Sequence, residues 1–277
     1  EETGSENAGV SAQEGSLHLV VETRMSSTYD EDNVTLLSRG SWPYIYVRDE
    51  GYEALNDALA LYSNEKENLA NSALDQMEEA AKEQLESFPD SPSGYSLEYT
   101  ARIKRADKKV FSFEEQSYSF TGGAHGSAAI TGYTFDSGTG KMLELDDVIS
   151  DKEGLYDYIV QTLSDDPNYK DGLFEGWEET VRQEVYGEAA DGYIYSLQWA
   201  LEGDGIKVYF SPYDIGPWAM GTVTVTVPYD QENIGFSEEY LPVKEQSVWP
   251  LRPYEELQID VDGDGQEDAV RYEQTSD

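Results

Sequence analysis

The sequence predicts an α+β fold in which a largely antiparallel sheet carries one long helix and a packed pair of helices. Strand-like segments stand towards both ends of the chain, and helical segments are grouped between them. Apolar residues make up 38% of the chain, and 21 Tyr, 8 Phe and 5 Trp are among its aromatic side chains. This composition is sufficient for a core, so we expect a folded chain rather than a disordered one.

The first half of the chain predicts strands on either side of a long helix. Residues 17–24 and 33–47 are rich in β-branched and aromatic side chains, which favours two paired strands. Residues 50–88 contain no proline and place apolar residues three or four apart, so they predict one amphipathic helix, with a break near Ser63 left open. Alternating polar and apolar residues then predict a hairpin of residues 95–105 and 110–120.

The second half predicts a helical pair enclosed by strands. Residues 128–135 alternate as a strand, and Asp146 is placed to cap a helix. Apolar stripes predict helices over residues 152–164 and 169–186. The stripe of the second of these helices, which we interpret as core, consists of Leu173, Phe174, Trp177, Val181 and Val185. The last predicted strands are residues 192–200, 206–211 and 221–228.

The chain divides into four predicted parts. These are a flexible tether (residues 1–16), an N-terminal domain of strands and the long helix (17–105), a C-terminal α+β domain (106–236) and a tail (237–277). The polar tether is typical of a segment that follows a removed signal peptide or anchor, although an ordinary frayed terminus has the same composition. No flexible linker precedes residue 110, so we expect the two domains to share an interface.

The net charge excludes one class of partner. A formal charge of −39 would repel a phosphate backbone, so we expect no nucleic acid partner. A basic protein, calcium or a neutral glycan is compatible with this charge, and solubility alone is the simpler explanation. The sequence contains no cysteine and no apolar run long enough to span a membrane.

The stretch FTGGAHGSAA, residues 120–129, contains one of two histidines and raises the question of catalysis. A serine hydrolase would need His125 as its base, but the sequence contains no G-x-S-x-G elbow and offers no third group to orient the imidazole. The flanking glycines favour positive φ angles and a tight connection held by the imidazole, and contact with a ligand is the other interpretation. The candidate ligand-binding residues of this stretch are Gly122, Gly123, His125 and Ser127.

A second loop, residues 211–221, carries rigid aromatic groups between glycines. Its candidate ligand-binding residues are Pro212, Tyr213, Pro217 and Trp218. Rigid rings on a loop make good contacts with a protein or a sugar, because they lose little entropy on binding. The alternative is that Tyr213 and Trp218 fold back over the core.

The motif DVDGDGQED, residues 260–268, predicts a calcium loop. Oxygen ligands alternate along it, and a glycine at the sixth position permits a sharp turn. The candidate ligands are Asp260, Asp262, Asp264, Gln266 and Asp268. Position 12 is Arg271 rather than glutamate and both flanks read as strands, so the loop is not an EF-hand. An acidic surface turn without metal is the alternative, and zinc is not expected from two distant histidines.

Three segments in matching order and spacing resemble a known family. They are TGGAHG (residues 121–126), FDSGTGKMLELDDVI (135–149) and YFSPYDIGPWAMGTVTVTVPY (209–229). Together they resemble the extracytoplasmic domain of the lysozyme-sensing anti-sigma factors of Gram-positive bacteria. Residues 17–105 resemble the companion domain that precedes it there, and that also precedes the catalytic domain of a secreted peptidoglycan deacetylase.

The resemblance implies an exported, non-enzymatic α+β module. Such a module binds lysozyme at the substrate cleft of lysozyme. Because this chain shows no apolar membrane-spanning run, we expect binding at the cell surface rather than transmembrane signalling. We therefore predict a secreted or surface-tethered binding module of a Gram-positive bacterium, with a basic protein such as lysozyme as its partner. The alternative is a peptidoglycan- or glycan-binding accessory domain of a wall-modifying enzyme.

Overall fold

A computed structural model of the protein describes residues 17–31, 34–88, 94–190, 193–243, 248, 256–259, 266 and 268–271. The predicted tether over residues 1–16 lies outside the described residues. The fold class is α+β, as predicted. Within the described part of the chain, no helix is long and apolar enough to cross a membrane.

The first five strands form one sheet, in which each strand lies next to its neighbour in the sequence. The strands β2 (Leu36–Val47) and β3 (Tyr95–Ala106) are parallel, and the other neighbouring pairs are antiparallel. The predicted pairing of the first two strands and the predicted hairpin are therefore confirmed. The strands are β1 (Leu19–Tyr29), β2 (Leu36–Val47), β3 (Tyr95–Ala106), β4 (Val110–Phe120) and β5 (Ser127–Asp136).

One long helix, α1 (Glu53–Ser87), connects the parallel strands and covers one face of this sheet. It is continuous over 35 residues, so the break considered near Ser63 does not occur. The Ser63 hydroxyl is buried and accepts a hydrogen bond from the backbone N–H of Ile45 at 3.3 Å, which satisfies the polar group inside the packed stripe. Lys66 is also buried in this stripe, where its Nζ lies 2.8 Å from Oε1 of Glu115.

A second sheet has three strands, in the order β10 (Val223–Pro228), β9 (Gly205–Phe210) and β8 (Gln198–Leu201), and the predicted helical pair packs on it. The aliphatic residues of this sheet share one buried cluster with Leu155, Ile159, Val181 and Val185 of the helices. The sequence did not predict this division into two sheets. The elements of this part are α2 (Leu145–Val148), α3 (Lys152–Asp165), α4 (Trp177–Tyr186), β6 (Ala189–Ala190), β7 (Tyr193–Ile194), β8 (Gln198–Leu201), β9 (Gly205–Phe210) and β10 (Val223–Pro228).

The two sheets meet where β5 crosses β8. A Cβ at Gly132 would lie 1.9 Å from the backbone oxygen of Trp199, so only glycine allows this approach. Nearby, the Ser112 hydroxyl donates to the backbone oxygen of Leu201. The five-stranded sheet continues across residues 105 and 106, between which the sequence places its domain boundary.

Three local predictions are wrong. The fourth helix begins at Trp177 rather than at residue 169, because Gly176 has a φ of 81°, which a right-handed helix does not allow. Glu144 rather than Asp146 caps α2, in a reciprocal pair with Asp147. The strand predicted over residues 192–200 is split, because the backbone N–H of Leu197 donates to the oxygen of Glu184 at the end of α4.

Candidate functional site

The glycine loop, residues 121–126, joins β4 to β5. Gly122 and Gly123 have φ angles of 94° and 93°, a left-handed conformation that glycine adopts without strain. Gly126 is buried, and a Cβ there would lie 2.3 Å from the backbone oxygen of Ser119. Ser127 is exposed at the start of β5. The loop is thus a tight strand connection, one of the two interpretations that the sequence left open.

The imidazole of His125 is exposed at the tip of this loop. Its Nδ1 lies 2.8 Å from the backbone oxygen of Gly126, and because a carbonyl only accepts, Nδ1 is the donor. The ring stacks on the indole of Trp218, with centroids 4.4 Å apart and planes 14° apart. The second histidine, His18, is at a different place, where it pairs with Asp49 at 2.6 Å. His125 is therefore held by one backbone bond and one aromatic contact.

The second predicted loop places Tyr213 and Trp218 side by side, with ring centroids 6.0 Å apart. Tyr213 is 56% exposed and has a φ of 79°, the one positive φ among the non-glycine residues described. Its backbone N–H donates to the oxygen of Gly216 at 3.0 Å, which closes the turn. The hydroxyl of Ser211 accepts from the backbone N–H of Ile130 at 3.1 Å, which fixes the loop to β5.

The structure thus brings the two predicted loops together into one aromatic surface, which we define as His125, Tyr213 and Trp218. Trp218 is half-buried, with Pro212 and Pro217 half-buried in the same loop, so the loop neither folds fully over the core nor stands free. The remaining segment of the resemblance, residues 135–149, lies elsewhere. Its turn packs on the start of α1, since a Cβ at Gly140 would lie 2.2 Å from the backbone oxygen of Ala54.

A cavity of about 600 Å³ adjoins the aromatic surface. Tyr213 lines the cavity and also belongs to the aromatic surface, so the two features are continuous. The other lining residues come from β5, α4, the 194–198 segment and the 211–214 turn, and they are Ile130, Thr131, Thr180, Glu184, Ile194, Tyr195, Ser196, Gln198, Ser211 and Asp214. None of these residues carries a positive charge.

The two acidic residues of the cavity, Glu184 and Asp214, both have a raised pKa. Burial raises the pKa of the Glu184 carboxyl to about 8, and the charge of Asp214 adds to this shift. Burial also raises the pKa of Asp214, opposed by the hydrogen bonds that its carboxyl receives from Ser211, one of them from the backbone N–H at 2.5 Å. Asp214 is exposed, whereas Glu184 is half-buried, so burial perturbs the ionisation of the Glu184 carboxyl more strongly.

Sequence reasoning missed Glu184 and Asp214. The available signal for Glu184 was its position, because it stands seven residues after Trp177 and three after Val181, inside the apolar stripe of α4. Thr180, three residues after Trp177, shares that edge of the stripe and also lines the cavity. Asp214 lies between Tyr213 and Ile215 in the aromatic loop, and no sequence pattern distinguishes it from the other acidic residues.

The predicted calcium loop falls largely outside the described residues. Asp260, Asp262 and Asp264 are not described, and Gln266 is exposed. Both flanks are strands, as the sequence predicted. They are β11 (Glu256–Ile259) and β12 (Asp268–Arg271), which pair antiparallel, with Asp268 at the first position of β12. Among the described residues, no group of three or more His, Asp or Glu side chains is placed to hold a metal. Calcium binding at residues 260–268 stays a prediction.

These features define a class of protein, namely an α+β chain with two packed sheets and a candidate site carried mainly by loops at their junction. Residues 29–128 match the family model described as deacetylase PdaC. Residues 146–230 match a family described as a protein of unknown function, DUF3298. The two matches follow one another in the order that the resemblance predicted and support the domain pair, although residues 121–126 fall within the first match rather than the second.

A solved structure of the second family has a similar fold. A DUF3298 family member from Bacteroides fragilis NCTC 9343 aligns with a TM-score of 0.59 and 20% identity, over 81% of this chain and 95% of that chain. At this identity the likeness shows the fold. A DUF3298 family protein from Pseudomonas aeruginosa PAO1 aligns with a TM-score of 0.48 and 16% identity, over 82% of this chain and 98% of that chain. No curated protein matches the chain.

Proposed function

We propose that the protein is an extracellular, non-catalytic binding module of a Gram-positive bacterium, secreted or tethered to the cell surface, and that it recognises a basic protein such as lysozyme. The observation that carries this proposal is the aromatic surface. Two loops that are distant in the sequence meet through the stacked rings of His125 and Trp218. The His125 imidazole is held by the backbone oxygen of Gly126, and the second loop is fixed to β5 through the Ser211 hydroxyl. Preorganised aromatic groups of this kind are typical of the energetic centre of protein interfaces.

Charge supports the choice of a basic partner. The chain carries a formal charge of −39, so its field attracts a cationic protein at long range. Such attraction accelerates association more than it tightens the final complex, and salt screens it. We therefore propose that the aromatic surface determines the affinity of the complex and that the overall charge determines how fast the two proteins associate.

A second candidate function has its own supporting observation. Exposed planar rings also pack against the apolar faces of sugar rings, and residues 29–128 match a model named for a deacetylase. An accessory domain that binds peptidoglycan or another wall glycan, and so positions a catalytic domain, is consistent with both. The two candidates differ in their ligand and can be separated by titration.

The test is calorimetric titration with lysozyme and, in parallel, with purified peptidoglycan at low salt. We expect heat with lysozyme, and about tenfold or greater loss of affinity for Trp218→Ala, the magnitude of a central aromatic contact. Tyr29→Ala is the matched control, because Tyr29 is 50% exposed at the end of β1. Absence of heat with lysozyme, or equal affinities of both variants, would refute the leading proposal, and heat with peptidoglycan alone would support the second.

A further inference from the structure

The cavity beside the aromatic surface has a chemistry that the proposed function does not yet use. We propose that it receives the cationic side chain of a lysine or arginine from the protein partner, with Glu184 and Asp214 as counter-charges. This inference rests on the proposed function, because it names the group of that partner which the site takes. It identifies a specificity site separate from the stacked rings.

The lining of the cavity fits a long cationic side chain. Its volume of about 600 Å³ is in the range of pockets that enclose a ligand group. Ile130 and Tyr195 offer apolar contact for an aliphatic stem, as lysine and arginine stems require. Hydroxyl and amide groups of Thr131, Thr180 and Gln198 add acceptors around a head group with several N–H donors.

The Glu184 carboxylate lacks a counter-charge within the described residues. Its environment consists of burial and of the like charge of Asp214, and both oppose ionisation. No lysine, arginine or histidine lines the cavity in the described part of the chain. A cation from outside would offset both penalties, since its charge attracts both neighbouring carboxylates and it donates hydrogen bonds to them.

Continuity with the aromatic surface identifies the source of the cation. Tyr213 contacts Trp218 on one side and lines the cavity on the other. A basic protein that covers the rings of His125 and Trp218 therefore also covers the mouth of the cavity. A bare metal ion would not use the apolar and aromatic walls, whereas a protein side chain would.

Binding of a cation is coupled to a proton. Without a bound cation, the Glu184 carboxyl keeps its proton up to about pH 8, because burial and the charge of Asp214 raise its pKa to about 8. A bound cation favours the ionised form, so binding releases a proton and tightens as pH rises from 6 to 9. The other titratable groups that line the cavity are Asp214, Tyr195 and Tyr213.

The test uses small probes in place of the unknown partner side chain. N-acetyl-arginine amide and N-acetyl-lysine amide are titrated against the full chain, with N-acetyl-citrulline amide as the neutral analogue of arginine. We expect backbone amide NMR shifts at Glu184, Ser211 and Asp214, with at least tenfold weaker binding of citrulline. Glu184→Gln should weaken the arginine probe tenfold, whereas Glu178→Gln, an exposed position of the same helix, should leave it unchanged.

The outcomes separate this inference from the proposed function. Equal binding of arginine and citrulline, or unchanged binding in Glu184→Gln, would overturn the cationic site even if lysozyme binds through Trp218. Binding of the arginine probe without any heat from lysozyme would support the cavity and overturn the partner. Glucosamine is the last probe to be titrated. If glucosamine binds and the arginine and lysine probes do not, the ligand of the cavity is an amino sugar and not a protein side chain, and the inference is wrong.

Discussion

Arg105 provides the sharpest test of how the two parts of the chain are held together. It is fully buried at the end of β3, and its Nε donates to Oδ2 of Asp107 at 2.6 Å. The same guanidinium donates to the backbone oxygens of Tyr240 and Leu241 at 2.6 and 3.0 Å, and to the hydroxyl of Tyr229 at 3.2 Å. One side chain thus joins the hairpin of the first sheet to a segment that follows the second sheet.

The substitution Arg105→Met would remove these bonds while keeping much of the side-chain volume. It would leave the Asp107 carboxylate buried with backbone N–H donors of Lys109 and Val110 at 2.8 and 2.9 Å, but without its cation. Removing one partner of a buried ion pair costs about 3–5 kcal/mol, and two carbonyl oxygens also lose their donor. We expect a loss of about 4 kcal/mol in the free energy of unfolding, or roughly 10 °C in Tm for a chain of this size.

Thermal and chemical unfolding, followed by circular dichroism, measures this loss, and hydrogen exchange of residues 237–243 reports the released segment. Arg102→Met is the matched control, because Arg102 stands on the same strand with its side chain 60% exposed and lies 3.6 Å from Glu114. We expect a loss of less than about 1 kcal/mol, because Arg102 is exposed and the buried Glu114 keeps Lys104 as a partner at 3.0 Å. The reasoning fails if Arg105→Met costs no more than Arg102→Met, or if exchange of residues 237–243 does not change.

Two further predictions concern ionisation and metal. The folded state holds the Glu184 proton up to a pKa of about 8, against about 4.5 when unfolded, so stability falls as pH rises through this window. The full shift corresponds to about 5 kcal/mol, which partial solvation reduces to roughly 2, and Glu184→Gln should flatten the fall in denaturant titrations between pH 5 and 9. Calcium at residues 260–268 should raise Tm by a few degrees at about tenfold its Kd, and an unchanged melting curve with a chelator would contradict the site.

The sequence predicted a helix or strand most accurately where the spacing of its apolar residues is regular over the whole element. The long helix α1 was predictable because residues 50–88 keep an apolar stripe and contain no proline. The division into two sheets was not predictable, because it depends on which strands pair and pack across the fold, as Gly132 does with the backbone of Trp199, and these residues are distant in the sequence. The start of α4 was misplaced because a single glycine, Gly176, can stand inside a helix or end it, and only its φ decides.

The candidate site shows the same limit at a smaller scale. Each loop was recognisable by its own composition, since His125 stands among glycines and Tyr213 and Trp218 stand between prolines and glycines. That the rings of His125 and Trp218 stack is a property of the fold, because the β4–β5 connection and the loop after β9 reach the same edge. The predicted ligand contacts of these residues stay predictions until a ligand is tested.

Glu184 shows what a polar residue in an apolar stripe implies. Glu184 lies within the apolar stripe of α4, so its carboxyl loses hydration when the helix packs. Among the described residues, no cationic side chain lines the cavity to compensate for this loss. If stability alone had shaped this helix, glutamine or an aliphatic residue at that position would avoid the penalty. A carboxyl with this cost fits the cationic ligand that we propose for the cavity, and the adjoining aromatic surface is where the protein that carries this cation would bind. The same residue would then reduce stability above neutral pH and increase affinity there, and both effects are measurable in one variant.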